Sequence, residues 1–492
     1  MYYLFVVILA LLTLIKLCKA SVESRSRRHL QLPPCPWNLP LIGSIHHLVG
    51  DLPHRALCDL SRRQGPIMSL KFGGVPFIVV SSPEAAKDVM NTHDTIFATR
   101  PQSEITKIIT SKGQGLVFAP YGDQWRELRK TCIRELLSTK QVQSFRAIQE
   151  EAARLVRSIS SAQGSLVNLS QEIARYATDA SVHIIMGRRF KDQADYDKFQ
   201  YYQDQGFHLA LSFCLPNLYP SLQLGRTLSK TVQKAEIYRE EMFEFIGGLI
   251  HEHQERRLNQ VPPCEENLID VLLKIQSGEG YLQCPVSDIL AGGRETVATV
   301  LQWAMAELMR NHAAMSKVQA EVRGAFTGRT KIIEEGLGEL TYLQFVIKET
   351  LRLHIPGPLF MRECQESCKV MGYDVPSGTK VLLNLWAIAR DPKYWDEPET
   401  FKPERFETDA RDFRGNCFEF MPFGSGRRMC PGMSFGLANV EVALAKLLFY
   451  FDWSLPAGVH PRELDMTESM GVTVQKKEAL LVQASLRVQL SD

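Results

Sequence analysis

Phe423-Gly424-Ser425-Gly426-Arg427-Arg428-Met429-Cys430-Pro431-Gly432 is the stretch on which the reading of this chain turns. Three glycines, two arginines and one cysteine fall within ten residues, and an apolar run with helical character, Met433 to Phe449, comes directly after. Pro431 suits the first turn of that helix, where a missing N–H costs little. Cys430 then stands at a helix N-terminus, where free backbone N–H groups and the helix dipole favour an anion. A thiolate is stabilised in such a place and can bind a metal. The glycines let backbone approach a flat, bulky group, and Arg428 offers a fork suited to a carboxylate. The loop alone admits a second reading. Glycine-rich turns before helices are common, and a lone cysteine is often only a small buried hydrophobe.

The chain around this loop has 492 residues, 45% of them apolar and 23% charged, with a formal net charge of +2. That is enough for a large core, in one large domain or several, and gives no reason to invoke nucleic acid. The 11 cysteines are odd in number and scattered, which argues against a disulfide framework and for a reducing compartment. Cys364 and Cys368 lie four apart without a second pair or a histidine cluster, and read as structural.

At the other end, Tyr2 to Leu17 is almost wholly apolar, and Arg25-Ser26-Arg27-Arg28 stands a few residues on. Basic residues after a first span hold that side in the cytosol. The expectation is a transmembrane anchor over residues 1–20, favoured over a cleaved signal, then a basic and proline-rich hinge over 21–45. Pro33-Pro34-Cys35-Pro36 and Pro40 make the hinge a stiff spacer. Ile67 to Leu70 and Phe77 to Val80 read as strands around Gly73-Gly74, and Ser82-Pro83 as a helix start. Most of the chain after Val80 reads helical: Glu150 to Ser158, Ser229 to Leu258, and Val297 to Phe326. Strand patterns return at Lys380 to Leu385 and Val472 to Ala484. An apolar, proline-punctuated loop from Phe207 to Leu222 is either core or a second membrane contact.

Several constellations bear on chemistry. Trp125 and Arg129 are spaced i, i+4 and share a helix face; stacking on the surface is the competing reading. Glu349 and Arg352 are spaced i, i+3, as in many solvated ion pairs. Gly292-Gly293-Arg294-Glu295-Thr296 puts two glycines into a helical pattern at about 1 kcal/mol each, which makes sense if backbone passes close to a cofactor. Glu295 beside Thr296 suits a proton relay or merely a helix start. Thr296 can also bond back to a carbonyl one turn earlier.

The spacing Phe-x-x-Gly-x-Arg-x-Cys-x-Gly resembles the haem-binding signature of the cytochrome P-450 monooxygenases. The proline hinge, Trp125-x-x-x-Arg129, Glu295-Thr296, Glu349-x-x-Arg352 and Pro403-Glu404-Arg405-Phe406 stand in the family's order. Phe118 to Asp123 and Trp386 to Pro392 are similar to the plant microsomal clan, which oxidises terpenoids, alkaloids and related metabolites. The resemblance implies a mainly α (α+β) cytochrome P-450 fold with a small β-rich region, the catalytic domain being 46–492. It implies Cys430 as the iron ligand of haem b, with Phe423 and Gly432 shaping its loop. Trp125, Arg129, Arg428 and Arg362 would take the propionates, and Glu295 and Thr296 would deliver protons. Glu349, Arg352 and Arg405 would form a structural triad, and Met470-Gly471-Val472 a pocket-lining turn. The implied partners are a small lipophilic substrate, dioxygen and an NADPH-dependent cytochrome reductase, at the endoplasmic reticulum membrane with the domain facing the cytosol.

Two departures touch the substrate side. About ten residues are missing before Gly292, and Pro285 is expected to kink any helix that contains it. The segment Pro358 to Arg362 lacks a proline before its arginine, which would shift the register of a pocket wall. An isomerase or dehydratase on the same haem, and an impaired haem protein, are the alternatives to a monooxygenase.

Overall fold

The computed structural model describes residues 30–490, apart from 140–141, 143–145, 163, 213, 221–228, 260–266, 276–281 and 333. The expected anchor over 1–20 and the start of the hinge lie outside the described residues.

Helix α1 (Pro53–Gln64) precedes strands β1 (Ile67–Phe72) and β2 (Val75–Val80), which pair antiparallel across Gly73-Gly74. The hinge is not free-standing: Ser69 N–H donates to the Pro34 carbonyl at 2.8 Å and Ser44 N–H to that of Lys71 at 2.6 Å. Ser82 caps the short helix Pro83–Lys87, accepting from Ala85 N–H. Then come α2 (Asp123–Cys132), α3 (Arg146–Ser161), β3 (Leu166–Asn168), α4 (Leu169–Met186), α5 (Gln193–Ala210) and α6 (Lys230–Asn259).

The central helix is α7 (Gln283–Arg310), with α8 (His312–Ala325) and α9 (Thr341–Leu353) after it. The run expected as one helix from Val297 to Phe326 breaks at Asn311. There the Asn311 side chain donates to the Glu307 carbonyl at 2.8 Å, ending the ladder one residue before α8 begins. Pro285 is the third residue of α7, inside its first turn, where no preceding turn exists to clash with it, so the expected kink has no cause.

Strands β4 (Leu359–Glu363) and β5 (Lys380–Asn384) join the first pair in a sheet of order β1-β2-β5-β4. β5 runs parallel to β2 and antiparallel to β4, with Arg362 opposite Val381. The ladder passes through Met361 without a break and leaves Arg362 buried. Helix α10 (Met433–Tyr450) and β6 (Phe451–Ser454) come next. The single strand pattern expected over Val472 to Ala484 is two strands in different sheets. β7 (Glu468–Met470) and β8 (Val474–Lys476) form a hairpin, whereas β9 (Leu481–Leu486) pairs with β3 and β6.

The core lies where α4, α7 and α10 meet. Leu301, Trp303, Ala304 and Met305 of α7 and Ala443, Leu444, Leu447 and Leu448 of α10 are fully buried. Among the described residues α10 is the one helix long and apolar enough to cross a membrane; 67% of that stretch is buried in the protein. Leu211 and Leu215, in the loop expected as core or membrane contact, are exposed.

Candidate active site

Gly424 and Gly426 of the cysteine loop both take left-handed backbone, at φ +72° and +68°. A Cβ on Gly426 would lie 2.4 Å from the Met90 carbonyl oxygen, so that position also needs glycine for space. Cys430 N–H donates to the Phe423 carbonyl at 2.9 Å and closes the loop. Helix α10 begins at Met433, where the apolar run begins, but Pro431 is not in its first turn as expected. Gly432 is its cap, giving its carbonyl to Gly436 N–H, and Pro431 lies just outside. This frees Gly432 N–H for the Cys430 thiol. Cys430 is accessible at its surface yet hemmed in by protein, as for a thiol facing an internal space. Burial pushes its pKa up, against the pull of the Gly432 N–H and of Arg100 and Arg129.

Behind the loop, Glu349, Arg352 and Arg405 meet as expected from their order. Glu349 and Arg352 are fully buried, and Arg352 grips both carboxylate oxygens at 2.8 and 2.9 Å. Arg405 Nε reaches the same oxygens at 3.0 and 3.1 Å, and Lys402 N–H adds a bond of 2.9 Å. The remaining guanidinium donors go to carbonyls of Ala389, Pro398, Thr400, Asp396 and Glu397. Such saturation is what keeps a buried ion group from costing several kcal/mol.

Beside the thiol, four arginines converge. Arg428 stands 3.9 Å over the Trp125 ring and Arg129 5.4 Å. The Trp125 indole N–H, expected to face a propionate, donates instead to the Leu116 carbonyl at 3.0 Å. Arg428 is likewise largely committed, to the carbonyls of Ala98 at 2.6 Å, Leu116 at 3.4 Å and Ala119. Arg129 donates to the Met429 carbonyl at 2.6 Å. Trp125 is therefore the platform of the cluster. Arg362 is buried, and its Nη2 has no partner. Burial, then Arg100 and Arg428 beside it, hold its guanidinium well below the usual value. Burial and the neighbouring Arg100 and Arg129 bring Arg428 down to about 9.

Arg100 is the member of this cluster that the sequence reading missed. Its one signal is a lone arginine before proline, two residues after the buried Phe97-Ala98. Among the described residues no carboxylate pairs with any of the four arginines. Like charges gathered without a carboxylate, two of them buried, call for a multiply charged anion, and the two propionates of a haem fit.

On the opposite side, α7 presents Gly292 to Thr296. Gly292 has open space at its Cβ position, whereas Gly293 faces Ser181 and Phe435, 2.8 and 3.0 Å from a Cβ placed there. One of the two glycines thus serves helix packing instead of a cofactor. The Thr296 hydroxyl donates to the Gly292 carbonyl at 2.5 Å. Glu295 is buried and turns away from Thr296, its Oε1 accepting from the Thr473 hydroxyl at 2.6 Å and Gln475 Nε2 at 3.0 Å. Its Oε2 is buried without a partner, and burial raises its pKa. Asp288, earlier in α7, accepts from Leu116 N–H at 2.7 Å and Val117 N–H at 3.0 Å. Burial lifts its carboxyl to about 6. Asp288 thereby ties α7 to the loop whose Leu116 carbonyl serves Trp125 and Arg428.

A thiol on a closed loop with unpaired arginines beside it is the setting of a haem-thiolate protein. The chain belongs to the cytochrome P450 family, whose model matches residues 33–482. It is 44% identical over 487 residues to desmethyl-deoxy-podophyllotoxin synthase of Sinopodophyllum hexandrum, covering 96% of this chain and 94% of the relative. It is 43% identical to dolabradiene monooxygenase of Zea mays and 42% identical to 5-epiaristolochene 1,3-dihydroxylase of Nicotiana tabacum, each match covering 97% of this chain and 96% of the relative. The chain is accordingly an oxidoreductase, a haem-dependent monooxygenase with a cysteine thiolate on iron. It takes a lipophilic substrate, dioxygen and electrons from a redox partner.

Proposed function

We propose that Cys430 is the thiolate ligand of haem b and that Arg100, Arg129, Arg362 and Arg428 receive the propionates. The observation that carries this reading is the arginine cluster beside the thiol, which no carboxylate pairs among the described residues and in which Arg362 and Arg428 are buried. The bound haem supplies dioxygen activation, with the thiolate's electron density favouring O–O cleavage. The chain supplies orientation, exclusion of water and protons. Phe423 and Gly432 hold the ligand: one carbonyl closes the loop and one N–H reaches the thiol. Thr296 gives its hydroxyl proton to the Gly292 carbonyl, leaving its lone pairs to accept from a water or a substrate group. Glu295 holds a proton for delivery. Glu349, Arg352 and Arg405 keep the loop's support rigid.

The substrate is a small lipophilic specialised metabolite, a terpenoid, as the names of the relatives suggest for them. Val472, apolar and 40% exposed at the hairpin turn, is suited to such a surface. Electrons come from an NADPH-dependent cytochrome reductase. Residues 46–492 are the catalytic domain, 21–45 the hinge and 1–20 the anchor in the endoplasmic reticulum membrane, with the domain in the cytosol. The exposed apolar side chains Trp37, Leu41, Ile42, Leu211 and Leu215 support a membrane-facing side. Their segments adjoin, the Tyr219 hydroxyl donating to the Leu41 carbonyl and Gly73 N–H to that of Ile42. A carbon monoxide difference spectrum of the reduced protein tests the site: a Soret band at the thiolate position is expected, and its absence would sink the assignment. Turnover of candidate terpenoids that depends on both reductase and dioxygen tests the reaction. Digestion of the domain by protease added to intact microsomes tests its orientation.

A further inference from the structure

The β7–β8 hairpin reaches α7 at three points. Trp303 Nε1 donates to the Val474 carbonyl at 3.0 Å, and Val474 N–H to the Pro356 carbonyl at 2.9 Å. These bonds fix the backbone next to Thr473, which is 3% exposed. From there the Thr473 hydroxyl meets Glu295 Oε1 at 2.6 Å and lies 3.3 Å from the Thr299 hydroxyl. Gln475 Nε2 reaches Glu295 Oε1 at 3.0 Å and the Thr473 hydroxyl at 3.4 Å.

We propose that Thr473 and Gln475 are positioning residues for proton delivery: they occupy Oε1 of Glu295 and so confine its transferable proton to Oε2. A carboxylic acid has one oxygen that bears the proton and one that only accepts. Two donors on Oε1 settle which is which, and the unpartnered, buried Oε2 is left as the acid. On delivery the Oε2–H bond breaks, its electron pair stays on the carboxylate, and the same two donors stabilise that charge until solvent reprotonates it. The turn that borders the substrate and the acid that serves the reaction thus form one hydrogen-bonded unit.

The charged surroundings of Glu295 are few. Arg294, on the same helix, pairs with Gln200 at 2.6 Å and approaches Asp204 of α5 at 3.7 Å; at Glu295 the Arg294 charge lowers the pKa and the Asp204 charge raises it. On the hairpin, Lys476 donates to the Glu478 carbonyl and Glu468 is held by His54 and Arg55, so neither contacts Glu295. Burial raises the Glu295 pKa and the Thr473 donors lower it. Deleting the hydroxyl must therefore raise it further.

This inference rests on the haem-monooxygenase reading, and its test keeps the two apart. Infrared difference spectra of the haem-loaded full chain in D2O, titrated with pH, give the protonated-carboxyl band of Glu295, assigned by its loss in E295Q. In T473V that band should move to higher frequency and its midpoint rise by about one unit, while T473S should stay near wild type. In parallel, with reductase, T473V should release severalfold more hydrogen peroxide per NADPH than wild type, and T473S should restore the ratio. An unchanged midpoint in T473V, or equal shifts in T473V and T473S, would overturn the proposal. If T473V does not load haem, Q475L gives the same test at the hairpin's outer edge, a smaller upward shift being expected and none overturning the idea. A missing carbon monoxide band in the wild type would instead strike the haem reading itself.

Discussion

Glu349 and Glu295 are both buried carboxyl groups, one on each side of the proposed haem site, and the protein treats them oppositely. Glu349 faces two arginines, and both its oxygens are bonded more than once. Glu295 has no cation in contact, and one of its oxygens has no partner. A carboxylate that is fully paired fixes geometry, because moving it would strand several charges at once. A carboxyl left half-satisfied in a dry place prefers to keep its proton, which is what an acid in a reaction must do. The cysteine side is built to hold still and the groove side to give something up.

Substitutions can break or sharpen this contrast. C430A should abolish the carbon monoxide difference band outright; a surviving band would place the ligand elsewhere and dissolve the two-sided picture. E349A strands Arg352 and Arg405 as buried cations and should cost about 3–5 kcal/mol, measured as a lower urea midpoint for loss of the haem spectrum. Stability within about 1 kcal/mol of wild type would show that the triad is not rigid support.

The hairpin's base offers an intermediate case. Burial works to raise the Glu468 pKa, but bonds from His54 and Arg55 hold it down at about 2, from an ordinary 4.5. A depressed acid stabilises the fold above its unfolded value and loses that contribution as pH falls from about 4.5 toward 2. The linkage amounts to about 3 kcal/mol. E468Q should flatten stability over that window, and an unchanged acid limb would refute the pairing. The smallest effect is expected for E295Q, whose stability at neutral pH should stay within about 1 kcal/mol of wild type because the amide oxygen can still accept from Thr473 and Gln475 and no paired cation is stranded. A large loss would recast Glu295 as a second Glu349.

The cysteine side was legible because its parts are local. Gly424 and Gly426 announce left-handed backbone, and Glu349 and Arg352 lie one turn apart. The groove side was less so. Asp288 and Thr473 act through partners 172 and 178 residues away in the chain, and neither carries a local signal beyond its residue type; on the cysteine side Arg100 escaped notice for the same reason. The same limit explains the misreadings. The Trp125 indole looked like a free donor because its carbonyl partner, Leu116, lies in a loop with no helical or strand periodicity. Val472 to Ala484 looked like one strand because alternation does not say which sheet receives it.

By itself the sequence determined the family, the ordered set of motifs, the cysteine on its helix turn and the helices flanking it, since each depends on neighbours within a few residues. Tertiary structure alone decided that Pro285 falls in the first turn of α7, that Arg362 pairs opposite Val381, that four arginines meet beside the thiol, and which oxygen of Glu295 is left unpartnered. Those outcomes depend on burial and on which distant donors remain unspent, and neither is a property of any single stretch of chain.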